Sequence, residues 1–333
     1  SHLIGMRLER AESIEEIAEA GRGLTELVAT LHAQGAKMSY LMELVSALNS
    51  RLMARVFEQL LPRELHSKVC LLVLGSEGRS EQLLKTDQDN ALILADDLEW
   101  PGLEDCAAQF SAALAQLGYP PCPGKVMVNN PKWRLPQRAW RERLIRAADD
   151  YDSNAMLELA ITVDARPIAG NAGLFEPVAE QIHSLGRNDA LMRQFAAPAL
   201  NFHTPLTLFG KVKTDEHGLD IKKGGIFPIV QGLRALALKS GIAETNSFRR
   251  AELLVDAGVL HPSDASDVQQ ALSVFMRLRL GDQLRRLRQG QAIDNHIDVR
   301  ALRTLDRELL RDALRIVNQF KDSLSERFKL SGL

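Results

Sequence analysis

Asp87 and Asp89 stand two residues apart at the mouth of the apolar run ALIL (91–94). Twelve residues earlier the pair Gly75-Ser76 closes another apolar run, LLVL (71–74). On a strand, residues i and i+2 point to the same side, so Asp87 and Asp89 are expected to share a strand face and hold divalent cations jointly. A Gly-Ser turn leading into a helix offers backbone N–H groups and a hydroxyl to an anion. Gly75 lets the main chain approach a phosphate, Ser76 adds a donor, and Arg79 or Lys85 can neutralise charge. Side by side, these are the parts of a site for a metal-bound nucleoside triphosphate. Nucleotidyl transfer needs divalent metal to bridge the triphosphate and the attacking hydroxyl, which a pair of ions about 3.5–4 Å apart does best. Mg²⁺ (or Mn²⁺) takes carboxylate oxygens together with waters and phosphates. A third carboxylate must come from elsewhere. Asp164, polar at the end of Ile161–Val163, is the best candidate, and an ion pair with Arg166 is its purely structural reading. Each piece alone is weak, because a D-x-D is more often a turn or a solvated edge. The conjunction carries the information.

These residues need elements to position them. Val69–Leu74 and Ala91–Ala95 read as buried strands. Leu103–Leu117 reads as an amphipathic helix closed by Gly118 and Pro120. Lys125–Asn129 reads as a short strand and Arg138–Ala148 as a helix. In Leu157–Arg166 the β-branched run Ile161–Val163 favours a strand ending at Asp164. Before this α/β domain, residues 7–33 have helical spacing weakened by Gly21 and Gly23. A stronger helix follows from Met38 to Leu61, ended by Pro62. After Gly170 the pattern is nearly all helical: Leu174–Leu185, Pro228–Lys239, Ser247–Ala257 capped by Asn246, a long helix capped by Ser263 and reaching about Arg288, and one or two helices over 298–330. The expected fold class is α+β. A small α/β domain with a mixed sheet (67–186) is flanked by an N-terminal helical segment (1–66) and a C-terminal helical bundle (187–333).

Bulk properties remove several alternatives. With 333 residues and a net charge of −2, the chain has no global electrostatic case for DNA or membrane binding. No stretch approaches the roughly 18 apolar residues of a membrane helix, and no signal peptide is evident. The three cysteines, Cys70, Cys106 and Cys122, are far apart and suit reduced thiols in a cytoplasmic protein. No G-x-x-x-x-G-K-[ST] is present, which excludes a P-loop ATPase. The start Ser1-His2-Leu3, without an initiator Met, is read as a piece of something longer.

The segment GSEGRSEQLLKTDQDNALIL resembles the signature of the DNA polymerase β-type nucleotidyltransferase superfamily. More narrowly, it resembles the nucleotidyltransferase group of the domain-of-unknown-function 294 type, akin to the N-terminal domain of bacterial PII-protein uridylyltransferase. The likeness continues through GYPPCPGKVMVNNPKW (118–133), ITVDARPIAG (161–170), LDIKKGGIFPIVQGLRALAL (219–238) and the segment from MRLRLGDQ to DNHID (276–298). It thus covers about residues 40–325. By that resemblance Gly75 and Ser76 match the phosphate-contacting turn, Asp87 and Asp89 the metal-binding pair, and Asp164 the third acid. No member of the three-acid set is missing, which argues against a dead enzyme. The resemblance implies an NTP substrate, and an acceptor hydroxyl between the α/β and helical domains, a tyrosine of a small regulatory protein being one option. It also implies an upstream cyclic-nucleotide-binding or CBS domain in a signalling protein. A catalytically silent nucleotide-binding regulatory module is the alternative.

In the helical half, Lys222, Lys223, Arg234 and Arg250 lie near Gly224 and Gly225. They are read either as structural cations or as a pocket facing the nucleotide. Arg277, Arg279, Arg285, Arg286 and Arg288 spread over more than one helix face and suit solvent or acidic partners. His203, His261 and His296 are isolated in sequence and read as structural.

Overall fold

The computed structural model describes residues 2–208 and 210–331. The chain divides into two compact units, one formed by residues 1–150 and 157–182, the other by 151–156 and 183–333.

The first unit opens with helices α1 (His2–Arg10), α2 (Ile14–Gly21), α3 (Leu24–Ala33) and α4 (Met38–Leu60). Ser13 accepts the Glu16 amide and starts α2. The residues of α4 recur at three and four, so Leu41, Val45, Leu48, Leu52 and Val56 form one buried stripe. Pro62 follows directly, where a helix cannot continue. A four-stranded sheet comes next, in the order β3-β2-β1-β4. β1 (Val69–Val73) and β2 (Asn90–Leu94) are buried along their whole length, which is why both are continuous apolar runs rather than alternating ones. They pair antiparallel, Val73 opposite Asn90. β3 (Arg134–Pro136) lies parallel to β2, and β4 (Arg166–Gly170) antiparallel to β1 with a bulge at Leu71/Leu72. The sheet is mixed, in an α+β fold. Between its strands run a single turn, α5 (Gly75–Gly78), then α6 (Leu103–Gln116), α7 (Gln137–Ala147) and α8 (Ser153–Val163). Gly118, at φ +97, ends α6 as the periodicity requires.

Two sequence expectations fail here. Residues 125–129 are turns, not a strand: Val126 accepts the Asn90 amide and Val128 donates to Asn90 Oδ1, so this loop caps the first residue of β2. The strand beside β2 is instead Arg134–Pro136. Residues 157–163 are helical. Leu159 and Thr162 are buried at a three-residue spacing while Leu157 is 59 % exposed, and Thr162 Oγ1 donates back to Glu158 O. Intrinsic β preference is weak and yields to such packing.

In the second unit α10 (Asp189–Ala196), α11 (Phe227–Lys239), α12 (Ser247–Asp256), α13 (Pro262–Arg288) and α14 (Thr304–Phe328) form a bundle, following α9 (Glu176–Leu185), which runs across the division. Asn246 caps α12 by accepting the Arg249 amide. α13 is capped not by Ser263 but by His261, whose Nδ1 accepts the Ser263 amide at 3.2 Å. A two-stranded ribbon, β5 (Leu219–Asp220) with β6 (His296–Ile297), breaks the helical pattern. A π-helical turn over Lys222–Ile226 leads into α11.

Candidate functional site

At the C-terminal end of β1 the chain must turn sharply, and Gly75 makes this possible in two ways. Its φ is +57, a conformation costly to any residue with a Cβ, and a Cβ there would stand 2.6 Å from Asp89 Oδ2. The bare turn therefore lets the Asp89 carboxylate lie directly against it. α5 follows as one helical turn, in which the Gly78 and Arg79 amides donate to the Leu74 and Gly75 carbonyls. Ser76 Oγ donates to Gln82 Oε1 at 3.1 Å, fixing the hydroxyl beside the turn.

Asp87 and Asp89 lie in the extended lead-in to β2 rather than in the strand itself, whose first residue is Asn90. The ladder nonetheless begins at Asp89, whose carbonyl accepts the Leu74 amide at 2.9 Å. Gln88 between them is 2 % exposed, and its amide nitrogen donates to the Ser111 and Tyr119 carbonyls. Anchoring Gln88 inward sends both neighbours outward by the alternation of extended backbone. Asp87 is exposed and Asp89 half-buried. Cys122 also reaches this place: burial raises its thiol pKa, and a hydrogen bond to the Asp89 carboxylate adds to the effect.

Asp164 sits between α8 and β4, fully buried. Arg79 Nη1 donates to its Oδ2 at 3.0 Å, while Arg79 Nε donates to Glu81 Oε2 at 2.9 Å. Burial works against the charge of Arg79, but the Glu81 and Asp164 carboxylates outweigh it and hold the guanidinium above its usual pKa range. Gly78 permits this packing, because a Cβ would meet Asp164 O at 2.1 Å. The structure thus brings Arg79 to Asp164 instead of turning it toward a phosphate.

Lys85 is also engaged. Its Nζ donates to Leu117 O at 2.8 Å and Gly21 O at 3.3 Å, ties the last turn of α6 to the end of α2, and has its pKa lowered by burial.

Asp89, against the Gly75 turn, and Asp87, exposed two residues before it, match the one or two carboxylates by which Mg²⁺ is commonly held, with phosphates and waters completing its shell. Asp164 does not fit as a third ligand, since Arg79 occupies its carboxylate in a buried ion pair. Among the described residues no three His, Cys, Asp or Glu side chains form a metal-binding group.

Sequence reasoning missed the layer beneath the turn. Glu77 is 3 % exposed, and burial pushes its carboxyl up to about 8 against the pull of Arg166 and an Asn49 hydrogen bond. Its Oε2 accepts from Asn49 Nδ2 at 3.3 Å, and its Oε1 makes no hydrogen bond. Tyr119 donates to Asn49 Oδ1, and Arg166 Nη2 donates to Glu77 O, Ser46 Oγ and Ser50 Oγ. Helix α4 is therefore bonded to the turn. The signal was present in sequence: Asn49 lies four residues after Val45, on the apolar stripe.

Residues 22–154 match the family model described as "Putative nucleotidyltransferase DUF294", and residues 189–328 match the one described as "Putative nucleotidyltransferase substrate binding domain". The chain belongs to this nucleotidyltransferase family. The two matches give its two-domain arrangement, and the general role of such a chain is nucleotidyl transfer, with a nucleoside triphosphate as substrate. A search of curated proteins finds no match.

The cations of the helical unit stand elsewhere. Gly224 and Gly225 are buried by packing: a Cβ on Gly225 would meet the Phe275 ring at 2.9 Å, and one on Gly224 would meet Pro205. They form a close helix contact, not an anion-binding turn. Arg250 is 1 % exposed and donates to Glu244 O, while Arg234 donates to Gln231 Oε1 in the interior of the same unit. Lys222 and Lys223 are exposed. Arg277 pairs with Asp306, and Arg285 and Arg286 pair with Asp282, so much of the basic character of α13 is answered locally.

Proposed function

We propose that this chain transfers a nucleoside monophosphate from an NTP to an acceptor hydroxyl, using Asp87 and Asp89 to hold Mg²⁺ (or Mn²⁺) beside the Gly75-Ser76 turn. The acceptor oxygen forms a bond to the α-phosphorus as the bond to pyrophosphate breaks. The observation that supports this reading is the closeness of the Asp89 carboxylate to the left-handed Gly75 turn, which sets an acid of the pair beside the turn. A bound divalent ion would neutralise phosphate charge and lower the pKa of the attacking hydroxyl. Gly75 leaves room for the phosphates, and the Ser76 hydroxyl, held beside the turn by Gln82, exchanges that partner for a phosphate oxygen when nucleotide binds. Asp164 acts as a positioning residue: through Arg79 it holds the segment between the turn and Asp87. A protein tyrosine as acceptor, on the PII-uridylyltransferase pattern, and a role as the output part of a larger signalling protein extend the same reading.

A second reading is favoured by one observation, the engagement of Asp164 by Arg79, which leaves two acids where the resemblance expects three. Under it, the chain binds nucleotide and signals without turnover. Calorimetry with ATP and UTP, with and without Mg²⁺, followed by a pyrophosphate-release assay across candidate acceptors, separates the two. Mg²⁺-dependent binding with release supports the transferase, and Mg²⁺-dependent binding with no release against any acceptor supports the silent module. If Asp87→Ala/Asp89→Ala left binding and its Mg²⁺ dependence intact, both readings of the acidic pair would fail.

A further inference from the structure

The helical unit contains a cavity of about 380 Å³, lined among others by Phe202, Thr204, Lys213, Asp215, Asp220 and Lys223. That volume is in the range of small-ligand sites. Its walls are held by the unit's own bonds. Lys321 Nζ donates to Phe202 O and to Thr204 Oγ1 at 3.2 Å, and the Phe202 ring meets Phe227 edge-on at 5.6 Å between centroids. Further lining comes from β5 and the loop before it, and behind Asp220 His296 of β6 lies 3.9 Å from its Oδ2 and 2.9 Å from Asp294 Oδ1.

The charges in this cavity are unevenly answered. Asp220 Oδ1 accepts the Lys223 amide at 2.9 Å, and Asp215 Oδ1 accepts the His217 amide at 2.8 Å. Each carboxylate keeps further lone pairs for a hydroxyl donor. Lys213 and Lys223 are exposed, and neither ammonium has a carboxylate partner among the described residues. Lys223 Nζ rests 5.6 Å from the centre of the Phe202 ring, a weak contact that a stronger anion can replace. The cavity thus combines two available cations, carboxylates with spare acceptor capacity and an aromatic ring.

We propose that this cavity is a second nucleotide site, taking a nucleoside monophosphate without metal. The phosphate pairs with Lys213 and Lys223, the ribose hydroxyls donate to Asp215 or Asp220, and the base packs on Phe202 once Lys223 swings to the phosphate. A simple anion would leave the ring and the carboxylates unused, and a simple cation would leave the lysines unanswered. The proposal stands independently of the Asp87–Asp89 reading.

The test is calorimetry of AMP and of UMP with the Asp87→Ala/Asp89→Ala chain in EDTA, which keeps the acidic pair out of the measurement. One binding event is expected for at least one nucleotide. It should weaken by about tenfold or more in Lys213→Gln/Lys223→Gln added to that background. These lysines are exposed, so a circular-dichroism melt should match the parent. The unaltered cavity should bind 2′,3′-dideoxy-AMP and ribose 5-phosphate more weakly than AMP, since each lacks one of the three contacts. No binding of either nucleotide, binding indifferent to the double lysine substitution, or equal affinity for AMP and inorganic phosphate would each overturn the proposal.

Discussion

The pair Asp87 and Asp89 and the lone Asp164 look alike in sequence, as acids at the ends of apolar runs, yet the fold treats them in opposite ways. The pair is turned outward because Gln88 between them is pinned inward to two carbonyls. Asp164 is turned inward, fully buried, with Arg79 and Glu81 completing a closed charge cluster. Asp87 is exposed and Asp89 half-buried with Cys122 against it, so this pair lies within reach of solvent and a cation. Buried Asp164 has its charge matched inside the protein, and removing it takes one of two carboxylates from the buried Arg79. The sequence marks both as acids. Only their surroundings separate a candidate ligand from a brace.

The strongest way to break this contrast is Asp87→Ala/Asp89→Ala. Pyrophosphate release should fall by about 10²–10³-fold, the scale of several kcal/mol of lost charge stabilisation. The melting temperature should stay near that of the parent, and an early melt would mean that the pair is structural after all. Asp164→Ala should do the reverse, destabilising the chain by about 1.5–3 kcal/mol in urea unfolding, because the buried Arg79 loses one of its two carboxylate partners and keeps only Glu81. Asp164→Asn, which keeps the shape, should cost less. Unchanged stability in both would place Asp164 with the outward acids.

The layer beneath the turn gives a pH test. Folded Glu77 keeps its proton up to about pH 8, whereas an ordinary carboxyl loses it near 4.5. The folded state therefore binds more protons across that window, and stability must fall as pH rises through it, by on the order of 2 kcal/mol after relaxation. Glu77→Gln, which mimics the neutral acid, should flatten the profile of melting temperature between pH 5 and 8. A profile identical to the parent's would remove Glu77 as its cause. The smallest effect is expected from Gly75→Ala, where the left-handed backbone costs about 1–2 kcal/mol. Displacing Asp89 should make NTP affinity drop more than stability, and the opposite order would detach Gly75 from the site.

Local pattern was a good guide where one residue's neighbours decide its fate. The continuous apolar runs of β1 and β2 betray strands covered on both faces. The stripe of α4, the glycine after α6 and the cap of α12 each depend on contacts within a few residues. It failed where distant packing overrode propensity. Ile161–Val163 is β-branched yet helical, and residues 125–129 turn to cap β2 instead of pairing with it. Gly224 and Gly225 carried the composition of an anion turn, but rings and prolines from other segments fill the space beside them.

By itself, then, the sequence determined the α+β plan, the turn at Gly75 and the shared side of Asp87 and Asp89, because these follow from backbone geometry and short-range periodicity. The carbonyls that hold Gln88 inward came from the fold. The tertiary structure alone decided which cations serve that turn and which serve the core. Arg79 meets Asp164 across 85 positions of chain, and Asn49 meets Glu77 across 28. Such pairings are set by which groups are desolvated together, and desolvation is a property of the folded neighbourhood rather than of the residue.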